Sequence, residues 1–218
     1  MCSQGSPASP APNDEANDTM SVMTHPIHLR GAHAALVPLS QEHAADLSEA
    51  VRDGELWRLW FTLIPAPDGM VAEIDRRLGL QAQGSMLPFA VLAADTGRAV
   101  GMTTFMNIDA VNRRVEIGST WYRASVQRTA VNTECKRLLL GHAFEAWVCI
   151  AVEFRTHFHN RRSRAGIERI GARLDGVLRS HQRMRDGSLR DTCVYSITQA
   201  EWPAVRAHLD FALAQPRR

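Results

Sequence analysis

Lysine is almost absent from this chain: of 25 basic residues in 218, only Lys136 is a lysine, so arginine stands in for it throughout. Cysteine is scarce as well. Cys2, Cys135, Cys149 and Cys193 show no CxxC or other zinc-type spacing. A chain of this length can form a core without disulfides or a structural metal, so no framework role and no metal are expected. No apolar run approaches membrane-spanning length, which excludes a spanning helix. Residues 1–24 contain Asp14, Glu15 and Asp18 but no Lys or Arg, unlike a secretory signal or an organelle-targeting leader. The expectation is a reduced, cytoplasmic protein with no membrane partner.

What is present is ordinary for one soluble globular domain: 45% hydrophobic, 22% charged and 6% aromatic residues. The net charge of +2 is unevenly spread, because Arg155 to Arg190 holds ten arginines against Glu168, Asp175 and Asp186. Such a patch suits a phosphate-bearing ligand, either a nucleotide cofactor or a nucleic acid, or is simply a solvated arginine-rich face. Nucleic acid is the less expected partner, since the arginines are interleaved with short strand and turn patterns and carry no groove-reading motif.

Residues 1–26 are rich in Ser, Pro, Ala, Asn and Asp without apolar period and read as a disordered leader. A single domain is expected over 27–213, with a short tail at 214–218. His28 to Leu39 reads as strand with a turn at Gly31, and Ser40 caps a helix from Gln41 to Arg52. A second helix fits Met70 to Gln83. Three strands then fit Phe89 to Ala94, Ala99 to Met106 and Arg113 to Tyr122, separated by turn signals that make an antiparallel meander. Val131 to Trp147 has helical period, Cys149 to Thr156 is a buried strand pattern, and Arg161 to Ile170 is helical. Two strands over Leu174–His181 and Thr192–Ile197 flank the Asp186-Gly187 turn. Thr198 and Glu201 form a capping box for a last helix. The order predicts an α/β, mixed-sheet (α+β) architecture with helices on its faces, since the strand–helix–strand stretch over 113–156 needs a crossover.

The chemistry concentrates where the strand ending at Tyr122 meets the helix beginning near Val131. A helix start offers free backbone N–H groups and a positive dipole end to an anion. The loop Gln127-Arg128-Thr129-Ala130-Val131-Asn132-Thr133 adds a guanidinium and two hydroxyls, a setting for a pyrophosphate. Many strand–helix loops carry the same residues with no ligand, and that reading stays open.

The element order, the strand Val115-Glu116-Ile117-Gly118 with the loop at 127–133, and the later Asn160-Arg161-Arg162-Ser163 with Ile170-Gly171 together resemble the GNAT acyltransferases. The strings QRTAVN, RTHFHN and RSRAGIERIGA are similar to their Rim-type branch, which is known for acetylating ribosomal-protein N-termini. The resemblance covers about residues 27–213. It implies a mostly antiparallel sheet with one diverging parallel strand pair, Arg113–Tyr122 and Cys149–Thr156, and acetyl-coenzyme A (acetyl-CoA) held between them. The pantetheine arm would pair with the first of these strands, and the pyrophosphate would rest on residues 127–133 without a metal. Gln127 matches the family's loop, whereas Ala130 and Asn132 stand where glycine is usual.

The resemblance also assigns Asn160 to cofactor contact, and places Ser163 near the thiol. The position at which many relatives carry a thiolate-protonating Tyr is Ile167, which leaves Ser163 or water for that task. Asn160 is equally a plain helix N-cap and Ser163 an ordinary packed residue. Acetyl transfer to an ammonium needs a base, and Glu116 and then Glu153 are the candidates on the two diverging strands, with His157 and His159 close behind the second as imidazoles that are equally read as exposed loop residues. Each carboxylate has a structural alternative, Glu116 pairing with Arg114 or an arginine on a neighbouring strand, and Glu153 with Arg155. Trp57, Trp60, Phe61 and Tyr122 are candidate walls of an acceptor pocket, with Trp60 expected mainly in the core. The resemblance implies direct attack in a ternary complex on acetyl-CoA by a primary amine, from a small molecule or a protein N-terminus, and is compatible with a homodimer. The rival reading is a non-catalytic relative that binds CoA or nucleic acid through the arginines of 155–190.

Overall fold

The computed structural model describes residues 23–215. Eight strands form one sheet in the order β1-β2-β3-β4-β5-β6-β8-β7. These are β1 Leu29–Arg30, β2 Ala34–Pro38, β3 Met86–Ala93, β4 Ala99–Asp109, β5 Arg114–Tyr122, β6 Ala151–His157, β7 Arg173–Arg183 and β8 Leu189–Thr198. All neighbours pair antiparallel except β5 and β6, which are parallel. The expected mixed sheet with one parallel pair is therefore present.

Five α-helices cover its two faces: α1 Ala44–Arg52, α2 Met70–Ala82, α3 Ala130–Gly141, α4 Arg161–Arg169 and α5 Trp202–Ala214. On one face Leu47, Val51, Met70 and Ile74 of α1 and α2 pack with Met102 and Trp121 of the sheet. On the other, Cys135 and Leu139 of α3 and Val205 and Leu209 of α5 pack with Val115, Ile117, Val152 and Phe154. Strand alternation explains the division, because every second side chain leaves the opposite face.

Buried polar contacts fix two junctions. The carboxylate of Glu134, on α3, accepts hydrogen bonds from the backbone amides of Ala32, His33 and Ala34 at 2.8, 2.6 and 2.7 Å, clamping the β1–β2 turn to that helix. Arg77 of α2, only 3% exposed, donates to Glu73 (2.7 Å), to Thr104 Oγ1 (2.8 Å) and to the Ser119 carbonyl (3.3 Å). It thereby holds a bulge in β5 at Ser119, which adopts φ 47°. Gly101 permits the close approach of β4 to β5 beside this bulge, since a Cβ there would stand 2.2 Å from the Trp121 carbonyl oxygen.

Several boundaries differ from the sequence reading. Residues 1–22 of the expected leader and 216–218 of the tail lie outside the described residues; Met23, within the expected leader, is buried against the core. The helix expected through Trp147 ends as α-helix at Gly141 and widens into a π turn over His142–Ala146, closed by the Trp147 amide on the His142 carbonyl at 3.1 Å. That turn brings His142 and Trp147 together with ring centroids 4.7 Å apart. Glu201 does reach back to the Thr198 amide at 3.0 Å, yet α5 starts only at Trp202, with Pro203 in its first turn.

Candidate active site

β5 and β6 are paired over only three positions, Arg114 with Ala151, Val115 with Val152 and Glu116 with Glu153. Beyond Glu116 and Glu153 the strands part, and Ile117 to Tyr122 and Phe154 to His157 line the two sides of a cavity of about 1240 Å³. A strand edge left unpaired presents its amides and carbonyls to whatever occupies the gap.

At one end stands the start of α3. Thr129 is its N-cap, accepting from the Val131 amide at 3.3 Å and donating to the Val126 carbonyl at 2.6 Å. Arg128 adopts φ 65°, so the left-handed conformation is carried here by arginine rather than glycine. Gln127 donates to the Tyr122 carbonyl at 2.9 Å, tying the loop to the end of β5. Gln127, Arg128 and Asn132 line the cavity. Val131 and Thr133 are buried, Thr133 receiving the Arg169 guanidinium at 3.1 Å, so neither turns its side chain to the cavity. Ala130, Val131 and Thr133 can meet a ligand only through first-turn amides, of which that of Val131 is already capped.

Glu116 sits where the strands part. It is buried at 6% exposure and lines the cavity, accepting from Asn107 Nδ2 at 2.7 Å with Arg155 Nε at 3.6 Å. Burial raises its carboxyl above the usual range, opposed by the Asn107 hydrogen bond and by Arg155. Lys136 reaches the same gap from α3, donating to Thr120 Oγ1 at 3.1 Å and lying over the Phe154 ring. Burial lowers its ammonium to about 8, with the field of Glu116 working the other way.

Glu153 does not join this arrangement. It is held by Arg114, with Nε at 3.1 Å, and by Arg155 Nη2 at 3.0 Å, and it does not line the cavity. Those hydrogen bonds and charges outweigh burial and lower its carboxyl, and they hold it as the ion-pair partner of Arg114 and Arg155. Of the two partners considered from sequence for Glu116, Arg114 or an arginine on a neighbouring strand, it meets the second, Arg155 of β6.

Asn160 caps α4, its Oδ1 accepting from the Ser163 amide at 3.1 Å, and both residues line the cavity. Ile167 lines it too. Phe61 and Tyr122 are also in the lining, but Trp60 is 55% exposed rather than in the core, its ring edge-on to His157 at 5.0 Å. His157, placed from sequence close behind the second strand, does line the cavity, whereas sequence reasoning missed Lys136, Arg155 and Arg190 as cavity residues. The signal for the two arginines was strand alternation on β6 and β8, which becomes readable only once the partner strands are known; Lys136 comes from α3.

Residues 34–173, more than half of the chain, match the acetyltransferase (GNAT) domain family. A Bacillus subtilis (strain 168) protein, YdaF, provisionally designated a ribosomal N-acetyltransferase, is 33% identical over 106 residues. That stretch is 49% of this chain and 57% of YdaF, so the match spans little more than half the length of this curated relative. A GCN5-related N-acetyltransferase from Brucella melitensis is similar in structure, with TM-score 0.77, 27% identity and coverage of 86% of both chains. Mycobacterium smegmatis RimJ, solved with CoA-disulfide, shares the fold at TM-score 0.71 and 23% identity, over 86% of this chain and 93% of that one. By its sequence match and its parted parallel strands, the chain belongs to the acetyltransferase (GNAT) domain family.

Proposed function

We propose that this protein is an N-acetyltransferase that moves the acetyl group of acetyl-CoA to a primary amine, of a small molecule or a protein N-terminus, within a ternary complex. The observation that carries the reading is the cleft between β5 and β6, with the start of α3 at one end and the buried carboxylate of Glu116 at its apex. The unpaired edges suit an amide-bearing pantetheine arm. Arg128 and the first-turn amides of α3 suit its phosphates.

Acetyl-CoA supplies an acetyl group activated as a thioester. Glu116 takes a proton from the acceptor ammonium, exposing the lone pair; a raised carboxyl pKa suits it to this task. The C–N bond forms as the C–S bond breaks, and the second amine proton lost balances the one gained by the departing thiolate. Ile167 has no proton to give, so the Ser163 hydroxyl or water supplies it. Asn160 and Gln127 position the donor.

The test is calorimetric titration with acetyl-CoA and with CoA, together with thiol release in the presence of amines. Saturable one-to-one binding and amine-dependent release are expected. Arg128→Glu should weaken CoA binding at least about tenfold with the fold intact. Glu116→Gln should lower kcat on the order of a hundredfold with little change in CoA affinity. In the wild type, the rate should fall as pH drops through the raised Glu116 pKa, because only the carboxylate can accept the proton. A rate and pH profile unchanged by Glu116→Gln would remove Glu116 as the base. If the protein instead binds RNA or DNA with steep salt dependence and ignores CoA, the arginine surface is its ligand site and the enzyme reading fails.

A further inference from the structure

The cleft has an excess of positive charge at the end away from α3. Its lining includes nine Arg or Lys residues but only two carboxylates, Glu73 and Glu116. Glu73 is already taken by Arg76 and Arg77. Phosphates resting on the α3 start would account for Arg128 beside it and for Arg169, which bonds its first turn. They do not account for the cations on the opposite face of the sheet.

Those cations lie on β6 and β8. Val152 and Phe154 pack toward α3, so the alternate residues Arg155 and His157 leave the other face. Thr192 of β8 is the cross-strand partner of His157, and Arg190 follows two residues along on the same face. All four line the cavity.

Two of their buried donors, Arg155 Nε and His157 Nε2, have no hydrogen-bond acceptor, although Arg155 Nη2 is held by Glu153. His157 is 3% exposed; its Nδ1 accepts from the His159 amide at 3.1 Å, which puts the proton of the neutral ring on Nε2, and Nε2 is buried with no partner. Burial holds this ring below the ordinary histidine pKa and so favours that neutral form. Arg155 Nε is likewise buried without a hydrogen bond, 3.6 Å from Glu116. Arg190 donates from Nε to Thr192 Oγ1 at 3.0 Å and has no carboxylate within ion-pair distance among the described residues. Buried donors and an uncompensated guanidinium cost free energy unless an anion completes them. Trp60 and Phe61 stand beside His157, with centroids 5.0 and 6.4 Å away.

We infer that this end of the cleft binds an oxyanion carried by the acceptor itself, so that the substrate is a small amine bearing a carboxylate or a phosphate. Arg190 and His157 Nε2 take the anion, while the amine lies toward Glu116. The inference rests on the acetyltransferase reading above. A small molecule, rather than a chain end, fits a pocket whose histidine is almost wholly enclosed.

The experiment uses protein saturated with CoA, so that the phosphate-binding end is already filled. It is offered matched pairs, 4-aminobutanoate against 4-aminobutanamide and phosphoethanolamine against ethanolamine, with binding read by calorimetry. Turnover of the same amines is followed with acetyl-CoA. At least one anionic amine should bind and react about tenfold or more better than its neutral partner, and the two pairs distinguish carboxylate from phosphate. Arg190→Gln should erase that preference with CoA affinity unchanged, and Arg190→Lys should restore part of it. The inference is overturned if the neutral amines do as well, if neither anion binds the CoA-loaded protein, or if Arg190→Gln keeps the preference. A peptide with an acidic N-terminal residue, if preferred to either small acid, overturns the small-molecule assignment. Failure of the wild type to bind CoA at all is a different result, and removes the acetyltransferase reading on which this one stands.

Discussion

A methyl group at position 118 would stand 2.8 Å from both Glu116 Oε1 and Met106 Sδ. Both are far ends of flexible side chains, so the fold can absorb Gly118→Ala while the carboxylate must move. The expected result is a near-normal melting temperature and unchanged CoA affinity, with kcat down on the order of tenfold to a hundredfold. Full activity in this variant would show that the place of the carboxylate does not matter. Lys136 makes a second case at this scale. Its folded pKa of about 8 lies below the ordinary 10.5, so between these values the unfolded chain binds more protons and stability rises with pH. Below pH 8 the buried ammonium carries its full cost. Lys136→Met should therefore raise stability at pH 7 by roughly 1–3 kcal/mol, with the advantage shrinking as pH climbs toward 10. Paired thermal melts at pH 7 and 9.5 measure this, and an advantage that grows with pH would contradict it.

At the level of elements, Glu134 binds a turn to a helix across a hundred residues of sequence. Glu134→Ala leaves three amides of the β1–β2 turn without their charged acceptor, at a cost of about 2–3 kcal/mol in chemical denaturation. A loss under 0.5 kcal/mol would mean water replaces the carboxylate freely. The elements themselves were largely legible. Alternation marked the strands, period marked the helices, and the Asp186-Gly187 turn stands where expected, with Gly187 at φ 84°. Less legible were features decided by partners far along the chain. β3 begins at Met86, before Pro88, because the sheet carries the strand past the residue that reads as a break. The π turn after Gly141 answers to Phe105 and Trp202, whose rings pack on Trp147 and Phe144 at 4.6 and 5.3 Å. In the candidate site, Glu116 and the 127–133 loop could be named from residue type and position. Glu153 was ranked behind Glu116 and its pairing with Arg155 was considered from sequence, but the second clamp, Arg114 from the paired strand, became visible only in the sheet.

For the whole molecule, the two hydrophobic clusters are separated by a sheet that is itself split along part of its length. A donor bound along that split would join β5 to β6 and hold both halves together. Acetyl-CoA at a hundredfold excess over its Kd should stabilise the protein by about 2.7 kcal/mol, read as a rise in melting temperature. An unchanged melt at that excess would mean the split is not where the donor binds. Of the ten arginines between 155 and 190, five face the cavity, namely Arg155, Arg162, Arg169, Arg185 and Arg190. Half of the arginine run suggested by the sequence thus borders the cavity, Arg162, Arg169 and Arg185 from exposed positions.

The scarcity of lysine has a consequence for a protein proposed to acetylate amines. Its one lysine is enclosed beneath the cleft, and every other cation is a guanidinium, too weak a nucleophile for a thioester at neutral pH. Neighbouring copies therefore offer one another no side-chain target, and the catalyst does not consume its own acyl donor by decorating its surface. Peptide mass mapping after long incubation with acetyl-CoA then reads Lys136 on its own, and shows whether the one lysine, which lines the cavity, meets the donor.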